Sequence, residues 1–405
     1  MGQLAVLLAL ADQQAESLLE KALARGSGGL SVVQRCPDLE DLLVTAATGV
    51  AEAVLVSPDL PHLDRESLSR LLALGVATVG LARDEDGERR LRQLGVVDVQ
   101  PGGAPVAAVA AAVHDAVARR VEAPQSFAHA IAPTPPVQDD EPAVARGTGR
   151  VVAVWGPTGA PGRTTVALGL GHELALRGWP TLLVDADVYG GSVALALGLR
   201  DEAPGLAAAC RQANLGALDV PALEGLAERL SPTLSVLTGI SRAERWPEVR
   251  PAGVDVVLEL GRRLAAVTVV DCGFSLEQDE EITYDTLAPR RNGATLAVLE
   301  HADLVVVVGS ADRVGGHRLV QGLSELREVA PDARTAVVVN RVRGAAVPAD
   351  LAAALQREAG VESWTTLPLD DAAFVSALGR ARPVAPGTAA RQAFERLAGS
   401  LVGAR

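Results

Sequence analysis

The sequence predicts an α/β protein with two domains, each built on a parallel sheet, the second larger than the first. Two observations predict this fold class. Short apolar runs alternate with helical patterns along both parts of the chain, and a segment rich in proline and acidic residues separates the two parts. The 405 residues, 48% of them hydrophobic, suffice for a buried core in each of two domains.

The first predicted domain covers residues 1–120 and contains five β/α repeats, which is typical of a doubly wound parallel sheet. Its first run, Leu4–Leu10, lacks a basic start and a cleavage site, so we expect a strand there and not a signal peptide. The other four predicted strands are Leu30–Gln34, Ala53–Ser57, Val76–Leu81 and Val96–Gln100.

Residues 121–148 are rich in proline and acidic residues and show no periodicity, which predicts a semi-rigid linker. The second domain is therefore expected over residues 149–405. Its predicted strands are near-continuous runs of valine and leucine, the pattern of strands that helices cover on both faces of a parallel sheet. These runs are Val151–Trp155, Thr181–Val184, Leu234–Leu237, Val267–Val270, Leu304–Val308 and Ala336–Val339.

Composition disfavours several classes of protein, although a local basic patch is left open. A net charge of −13 and a pI near 5.0 disfavour broad electrostatic attachment to DNA or anionic lipid. The three cysteines are widely spaced, which argues for a reducing compartment and against a disulfide or metal framework. No stretch approaches the roughly 18 uninterrupted apolar residues of a membrane span. We therefore expect a cytoplasmic protein.

A glycine-rich loop, Gly-Pro-Thr-Gly-Ala-Pro-Gly-Arg-Thr-Thr at residues 156–165, follows the first strand of the second domain. A strand, such a loop and then a helix is how α/β proteins aim backbone N–H groups at a polyphosphate. Gly162 and Thr164 fit the signature G-x-x-x-x-G-K-[ST], but Arg163 stands where the lysine belongs. The chain contains one lysine, Lys21, so no other lysine of this domain can take its place.

Three aspartates follow the ends of predicted strands: Asp185, Asp187 and Asp271. Carboxylates at such ends, beside a phosphate loop, hold Mg²⁺ through water and orient a nucleophilic water. Each one alone is equally well explained as a helix cap, but the three together favour nucleotide chemistry. Asn340 ends the sixth run; its amide can pair with an adenine edge, although alone it would be a turn residue.

With these motifs in this order, the second domain resembles the MinD/ParA group of deviant Walker ATPases over roughly residues 149–400. Each motif is weak by itself, whereas their order and spacing are specific. The matching segments are the loop, Asp185–Asp187, Val269–Gly273, Ala302–Val308, Asn340–Arg341, Leu367–Asp370 and Arg382–Pro383. The predicted fold is therefore a receiver-like five-stranded doubly wound domain followed by a larger, mostly parallel P-loop domain of the MinD/ParA type.

The first domain resembles a response-regulator receiver that has lost its acidic site. Ser57 occupies the phosphoacceptor position, Asp12 is what remains of the acidic pair, and Gln100 stands where receivers carry lysine. We therefore predict a pseudo-receiver without aspartyl phosphate, acting in docking or dimerisation; another five-stranded α/β domain is the alternative. A pseudo-receiver before such an ATPase is similar to the CpaE/TadZ branch of pilus-assembly proteins and to the actinobacterial septum-site-determining proteins.

The resemblance implies roles for individual residues, with ATP and Mg²⁺ as cofactors and a homodimer as the working state. Thr164, Asp185 and Asp271 would hold the metal, Asp187 would position the attacking water, and Asn340 would bind adenine. The residues implied in phosphate binding are Thr158, Gly159, Ala160, Pro161, Gly162, Arg163, Thr164 and Thr165.

The chain departs from the family where the loop normally carries two lysines. The first, which in the family reaches the partner's phosphates across an ATP-sandwiched dimer, is Thr158, and the second is Arg163. Arginine is larger and forked, a misplacement of about 1 Å can slow a reaction about 100-fold, and a lost crossing cation can cost about 10³–10⁵. We expect ATP binding with weak or absent hydrolysis.

Arg290 or Arg291 could supply the missing cation or contact a partner; the alternative is an ordinary solvated helix start.

The sequence therefore predicts an ATP-binding spatial regulator that positions a pilus or secretion apparatus or affects septum placement. A non-hydrolysing nucleotide-binding scaffold is one alternative, and a ParA-like DNA-partitioning ATPase, disfavoured by the acidic charge, is another. Recruitment to a pole, a septum or a membrane face is left open. The last helix, Ala390–Val402, is expected to pack against the sheet through one apolar face, rather than to anchor the protein in a membrane.

Overall fold

The computed structural model describes residues 3–12, 17, 19–21, 29–122, 149–159, 162–199, 204–278, 290–344, 346–379 and 382–403. These residues form two compact units, each with its own sheet. Residues 123–148 lie outside the described residues, so the linker and the boundaries of the two domains stay predictions.

The first unit has a five-stranded parallel sheet in the order β2-β1-β3-β4-β5, which confirms the doubly wound arrangement. Its strands are β1 (Leu4–Ala9), β2 (Leu30–Arg35), β3 (Ala53–Val56), β4 (Ala77–Ala82) and β5 (Asp98–Pro101). Its helices are α1 (Leu39–Ala47), α2 (Arg65–Ala73), α3 (Glu85–Leu94) and α4 (Val106–Glu122). Asp38, Asp64 and Asp84 cap the first three of these helices by accepting backbone N–H groups.

At the edge of this sheet where a receiver has its acidic site, the side chains are bound to other groups of the same unit. The Ser57 hydroxyl, at the end of β3, accepts the backbone N–H of Ala11 at 2.9 Å. Asp12 forms an ion pair with Arg83, which follows β4. Both contacts agree with the predicted loss of receiver chemistry, while the kinship with receivers stays a prediction.

The second unit has an eight-stranded sheet in the order β13-β12-β11-β6-β10-β7-β9-β8. All neighbouring strands are parallel except β8, which runs antiparallel to β9. The strands are β6 (Arg150–Trp155), β7 (Thr181–Ala186), β8 (Glu228–Ser231), β9 (Leu234–Leu237), β10 (Val267–Cys272), β11 (Leu304–Ser310), β12 (Thr335–Val342) and β13 (Trp364–Pro368).

Helices accompany these strands in the order expected of an α/β domain. They are α5 (Arg163–Leu176), α6 (Val193–Ala196), α7 (Gly205–Asn214), α8 (Val220–Leu226), α9 (Pro251–Leu264), α10 (Gly293–His301), α11 (Arg313–Val329), α12 (Ala349–Arg357), α13 (Asp371–Gly379) and α14 (Ala389–Gly403). In the part of the chain that the structure describes, none of the helices is long and apolar enough to cross a membrane.

The six predicted strands of this unit are confirmed, and the edge strands β8 and β13 are additional. The sequence hides β8 because Glu228–Ser231 is largely exposed and carries only one apolar residue. In β13 only Leu367 is fully buried, so no apolar run marks it. An edge strand needs less apolar surface than a central one, since one of its sides has no neighbouring strand.

The last helix packs as predicted. Phe394 and Leu397 of α14 are each 1% exposed and belong to the core that also contains Val154 of β6 and Val269 of β10. The Phe394 ring lies against Gly169 of α5, where an added Cβ would come within 2.6 Å of the ring. The apolar face of α14 is therefore used inside the domain.

A buried ion pair joins the same two helices. Glu173 of α5 and Arg391 of α14 are 3% and 7% exposed, and their charged groups are in direct contact. Arg391 also donates from Nη1 to the carbonyl oxygen of Val384 at 3.0 Å. Removing one partner of a buried pair leaves an uncompensated charge, whereas removing both does not.

We predict that Arg391→Met lowers the free energy of unfolding of the second unit by about 3–5 kcal/mol, because Glu173 is left buried without its cation. Urea unfolding followed by tryptophan fluorescence reports on this unit, since Trp155, Trp179, Trp246 and Trp364 all belong to it. The double variant Glu173→Gln/Arg391→Met should recover most of the loss.

The matched control is Arg396→Met, on the exposed side of the same helix, which should change the unfolding free energy by less than about 0.5 kcal/mol. Equal losses in the Arg391 and Arg396 variants would contradict the role given to the pair.

Candidate nucleotide site

The glycine-rich loop lies between β6 and α5, at the carboxyl edge of the larger sheet, where open α/β folds bind ligands. Gly162 precedes α5 with φ 107°, a left-handed conformation that favours glycine. It has no side chain to cap the helix, so the first N–H groups of α5 are directed at the loop. Thr164 and Thr165 follow in the first turn and are half-buried. Ala160 and Pro161 lie outside the described residues.

Asn340, the predicted adenine ligand, lies beside the same glycine. An added Cβ on Gly162 would come within 2.2 Å of Asn340 Nδ2, so the amide contacts the loop backbone directly. The Oδ1 atom accepts the backbone N–H of Arg341 at 2.8 Å, and Arg341 itself has a left-handed φ of 57°. Asn340 is 6% exposed. The structure thus brings the end of β12 to the start of α5.

Asp185 and Asp271 are direct neighbours on the paired strands β7 and β10. The two oxygens of Asp185 accept backbone N–H groups, from Asp187 at 3.2 Å and from Val193 at 3.1 Å. Asp185 therefore holds the turn between β7 and α6 in place.

Asp271 is completely buried, and neither of its carboxylate oxygens has a hydrogen-bond partner of good geometry. Burial raises the pKa of Asp271 well above its usual range, and the neighbouring Asp185 raises this pKa further. The Thr164 hydroxyl opposes the rise by stabilising the charged form. The Thr164 hydroxyl and the charge of Arg163 favour the ionised form of Asp271 less than burial and Asp185 disfavour it.

These residues fit Mg²⁺. The ion takes oxygen ligands, and it is usually held by one or two carboxylates together with phosphates and waters. Asp271, Asp185 and the Thr164 hydroxyl supply oxygens of this kind. Over the described ranges, no group of three or more His, Cys, Asp or Glu side chains is arranged to hold a metal ion. Because Mg²⁺ is commonly completed by phosphate and water oxygens, this donor set suits an ion that arrives together with a nucleotide.

Arg163, at the position of the second signature lysine, points to Asp187. Its Nη2 lies 3.4 Å from Asp187 Oδ2, and its Nη1 donates to the carbonyl oxygen of Gly156 at 3.3 Å. The two side chains are 16% and 8% exposed, so water screens this pair only weakly. The other oxygen of Asp187 accepts the N–H groups of Tyr189 at 2.9 Å and Gly190 at 3.2 Å. Both oxygens of the predicted catalytic aspartate are thus engaged.

A stack of aromatic rings and cations leads from the loop to the start of α10. The guanidinium carbon of Arg163 lies 5.9 Å from the centroid of the Phe274 ring, whose centroid is 4.8 Å from that of Tyr189. Arg291 covers Tyr189 at 4.1 Å. The Tyr189 hydroxyl donates to Asn292 Oδ1 at 2.7 Å. Distances of this order are typical of favourable ring and cation contacts.

The two arginines considered in the sequence as sources of a missing cation are therefore different. Both are exposed, but Arg291 is stacked on the Tyr189 ring. Sequence reasoning missed Phe274 and Tyr189 as site residues. The sequence does offer one signal for them, because Phe274 closely follows Asp271 and Tyr189 closely follows Asp187.

Sequence reasoning also missed Arg318, which comes from α11. Its Nη1 donates to the carbonyl oxygen of Thr158 at 3.4 Å. It also lies against Gly159, where an added Cβ would come within 2.2 Å of that nitrogen. Thr158 and Gly159 are exposed, and Arg318 is half-buried. No sequence pattern marks this contact, because its two residues are 160 positions apart.

A comparison with protein families gives the family of the second unit. Residues 152–384, more than half of the chain, match the family described as CobQ/CobB/MinD/ParA nucleotide binding domain. The chain belongs to this family of nucleotide-binding proteins.

Solved structures of similar fold include three relatives. One is the septum site-determining protein MinD complexed with Mg-ADP from Pyrococcus horikoshii OT3, with 17% identity, a TM-score of 0.50, and coverage of 63% of this chain and 96% of that one. Another is a ParA family ATPase from Chlorobium tepidum TLS, with 18% identity, a TM-score of 0.52, and coverage of 63% and 99%. The third is the Cyanothece McdA(D38A)-ATP complex, with 14% identity, a TM-score of 0.50, and coverage of 63% and 97%. These likenesses show a shared fold. No curated protein matches the chain.

We predict that Asp271→Asn stabilises the nucleotide-free second unit at neutral pH by about 1–3 kcal/mol, because the wild-type carboxyl is buried where its ionisation is disfavoured. The folded-state pKa of Asp271 lies above its unfolded value, so the wild-type protein loses stability as the pH rises from the unfolded-state pKa through the folded-state pKa. The gain should therefore shrink as the pH falls and the wild-type carboxyl becomes protonated.

The measurement is urea unfolding by tryptophan fluorescence at several pH values. Asp332→Asn, in an exposed turn, is the matched control and should change nothing. A destabilised Asp271→Asn variant at neutral pH would show that the carboxylate has partners in the nucleotide-free protein.

Proposed function

We propose that this chain is an ATP-binding spatial regulator of the MinD/ParA type, with weak or absent hydrolysis. The observation that carries the proposal is the contact of Arg163 with Asp187. The cation of the phosphate loop and the carboxylate expected to position water are bound to each other. Two observations support the nucleotide part of the proposal. The chain belongs to a nucleotide-binding family, and the glycine-rich loop, the Asp185–Asp271 pair and the Asn340 amide lie at one edge of the sheet.

The contact gives a physical reason for slow turnover. A water-positioning carboxylate must accept a hydrogen bond from water, and a lysine-type cation must meet the transferred phosphate. Here Arg163 contacts Asp187 Oδ2, the oxygen that would otherwise be available to a water molecule. Asp187 in turn keeps the Arg163 guanidinium from contacting phosphate alone. Binding requires only the backbone N–H groups and a net attraction, so it tolerates this pairing better than hydrolysis does.

In the proposed complex, the loop residues Thr158–Thr165 and the first turn of α5 bind the phosphates of ATP. Thr164, Asp185 and Asp271 hold Mg²⁺, which when bound neutralises phosphate charge. Asn340 pairs with adenine, and Asp187 is the residue that would orient water. The relatives support this choice of ligands, since the named complexes contain Mg-ADP or ATP. A homodimer is proposed as the working state.

We further propose that the first 120 residues act as a pseudo-receiver that docks or dimerises, joined to the second domain (residues 149–405) by the linker 121–148. The flavodoxin-like strand order and the internally paired Ser57 and Asp12 support that role. Such an architecture, similar to the CpaE/TadZ branch, would position a pilus or secretion apparatus or affect septum placement, with recruitment to a pole, a septum or a membrane face.

A non-hydrolysing scaffold that keeps its nucleotide is the second candidate, and the same Arg163 to Asp187 contact favours it. Nucleotide-dependent dimerisation distinguishes the two, because a regulator needs a state that changes with the nucleotide. DNA partitioning is the least supported function, because the net charge of −13 opposes binding to phosphate backbones.

We predict that wild-type protein binds ATP and hydrolyses it at least about 100-fold more slowly than the double variant Thr158→Lys/Arg163→Lys. The lysines restore the compact cations of the family's loop and release Asp187. Fluorescent ATP binding, phosphate release and light scattering measure affinity, turnover and dimerisation. Adding Asp187→Ala to the double variant should abolish the restored turnover.

Arg334→Lys is the matched control, because Arg334 is exposed and precedes β12 at the opposite edge of the sheet. It should leave all three measurements unchanged. Wild-type turnover equal to that of the double variant would contradict the proposed loss of hydrolysis. Tight binding without turnover or dimerisation in every variant would favour the scaffold.

A further inference from the structure

Helix α11 packs against the phosphate loop. The sequence of the loop itself does not indicate this contact. Gly322 of α11 faces the start of the loop: an added Cβ would lie 3.1 Å from Pro157 and 3.2 Å from the indole of Trp155. Because helix residues four apart lie on one face, Arg318 stands above Gly322 on the same side of the helix. The close packing at Gly322 therefore fixes where Arg318 can reach.

Arg318 reaches the exposed end of the loop. Its contact with the Thr158 carbonyl uses one of the five N–H donors of a guanidinium. The side chain rests on Gly159, where a left-handed φ of 69° and the lack of a Cβ together make room for it. Any other residue at position 159 would displace the guanidinium.

The two ends of the loop are distinguishable. Asn340, the proposed adenine ligand, contacts Gly162, and the N-terminus of α5 begins there. With adenine at Asn340, as proposed, the base lies at the Gly162 end of the loop, and the phosphates extend along the loop toward Thr158 and Gly159. A nucleotide bound in this direction places its terminal phosphate toward Arg318.

We propose that Arg318 supplies in the same chain the cation that Thr158 does not provide, by donating to the terminal phosphate of bound ATP. This inference rests on the proposed function, since it requires a nucleotide in the loop. Arg163 is engaged with Asp187, so Arg318 is the basic side chain in contact with the exposed end of the loop. Its role is selection of ATP over ADP, because ADP lacks the phosphate that Arg318 would contact.

The test is calorimetric titration of the full-length protein with Mg²⁺ and either ADP or a non-hydrolysable ATP analogue. Arg318→Ala should weaken binding of the ATP analogue by about 10- to 100-fold, the range for a lost charge-assisted hydrogen bond. Binding of ADP should change by less than about threefold. Arg318→Lys should recover part of the difference, because it keeps the charge but not the forked donors. Arg334→Ala is the matched control.

Three results would overturn the inference. An equal loss for both nucleotides would mean that Arg318 only holds the loop in shape, and no loss for either would mean that it does not meet the nucleotide. Wild-type protein that binds neither nucleotide would overturn the proposed function together with this inference. The first two results, obtained with a wild-type protein that binds both nucleotides, would overturn this inference alone. Unchanged urea unfolding of the variants establishes that they are folded.

Discussion

A concentration of buried negative charge at the carboxyl edge of the larger sheet is the constraint on which the rest of this site depends. Asp185 and Asp271 face each other on paired strands, and Asp187 follows two residues later. Like charges in a desolvated site repel strongly unless cations or hydrogen bonds compensate them. Arg163 gives part of this compensation in the nucleotide-free protein. A nucleotide adds further negative charge, so it must bring a metal ion or be met by other cations.

The loop is held by close backbone contacts as well as by charge. Asn340, Arg318 and α11 each approach a glycine or proline of the loop and its flanks: Gly162, Gly159 and Pro157 respectively. Such contacts leave no space for a side chain, and close packing makes the position of each partner depend on the others. The loop is therefore shaped by two elements that follow it in sequence, β12 and α11, the second at two positions, in addition to its own residues.

Much of this architecture could be predicted because the physical signals are local. Valine and leucine runs mark strands that are buried on both faces, and Asp185, Asp187 and Asp271 follow such runs directly. The edge strand β8 could not be predicted from the sequence, because its residues are exposed and form no apolar pattern. Two contacts could not be predicted for another reason: the stack of Phe274 on Tyr189 and the contact of Arg318 with Thr158. Each joins residues that are distant in the chain, and only tertiary packing brings them together.

The stack that begins at Arg163 has two ends of unequal exposure. Arg163 is mostly buried beside the loop, whereas Arg291 is exposed on the far side of Phe274 and Tyr189. A phosphate that attracts Arg163 would remove the cation from one face of Phe274 and weaken the support of the second ring. The change would then be detectable at Arg291, on the outer surface of the domain. Occupancy of an interior site would in this way alter a surface that another protein can contact.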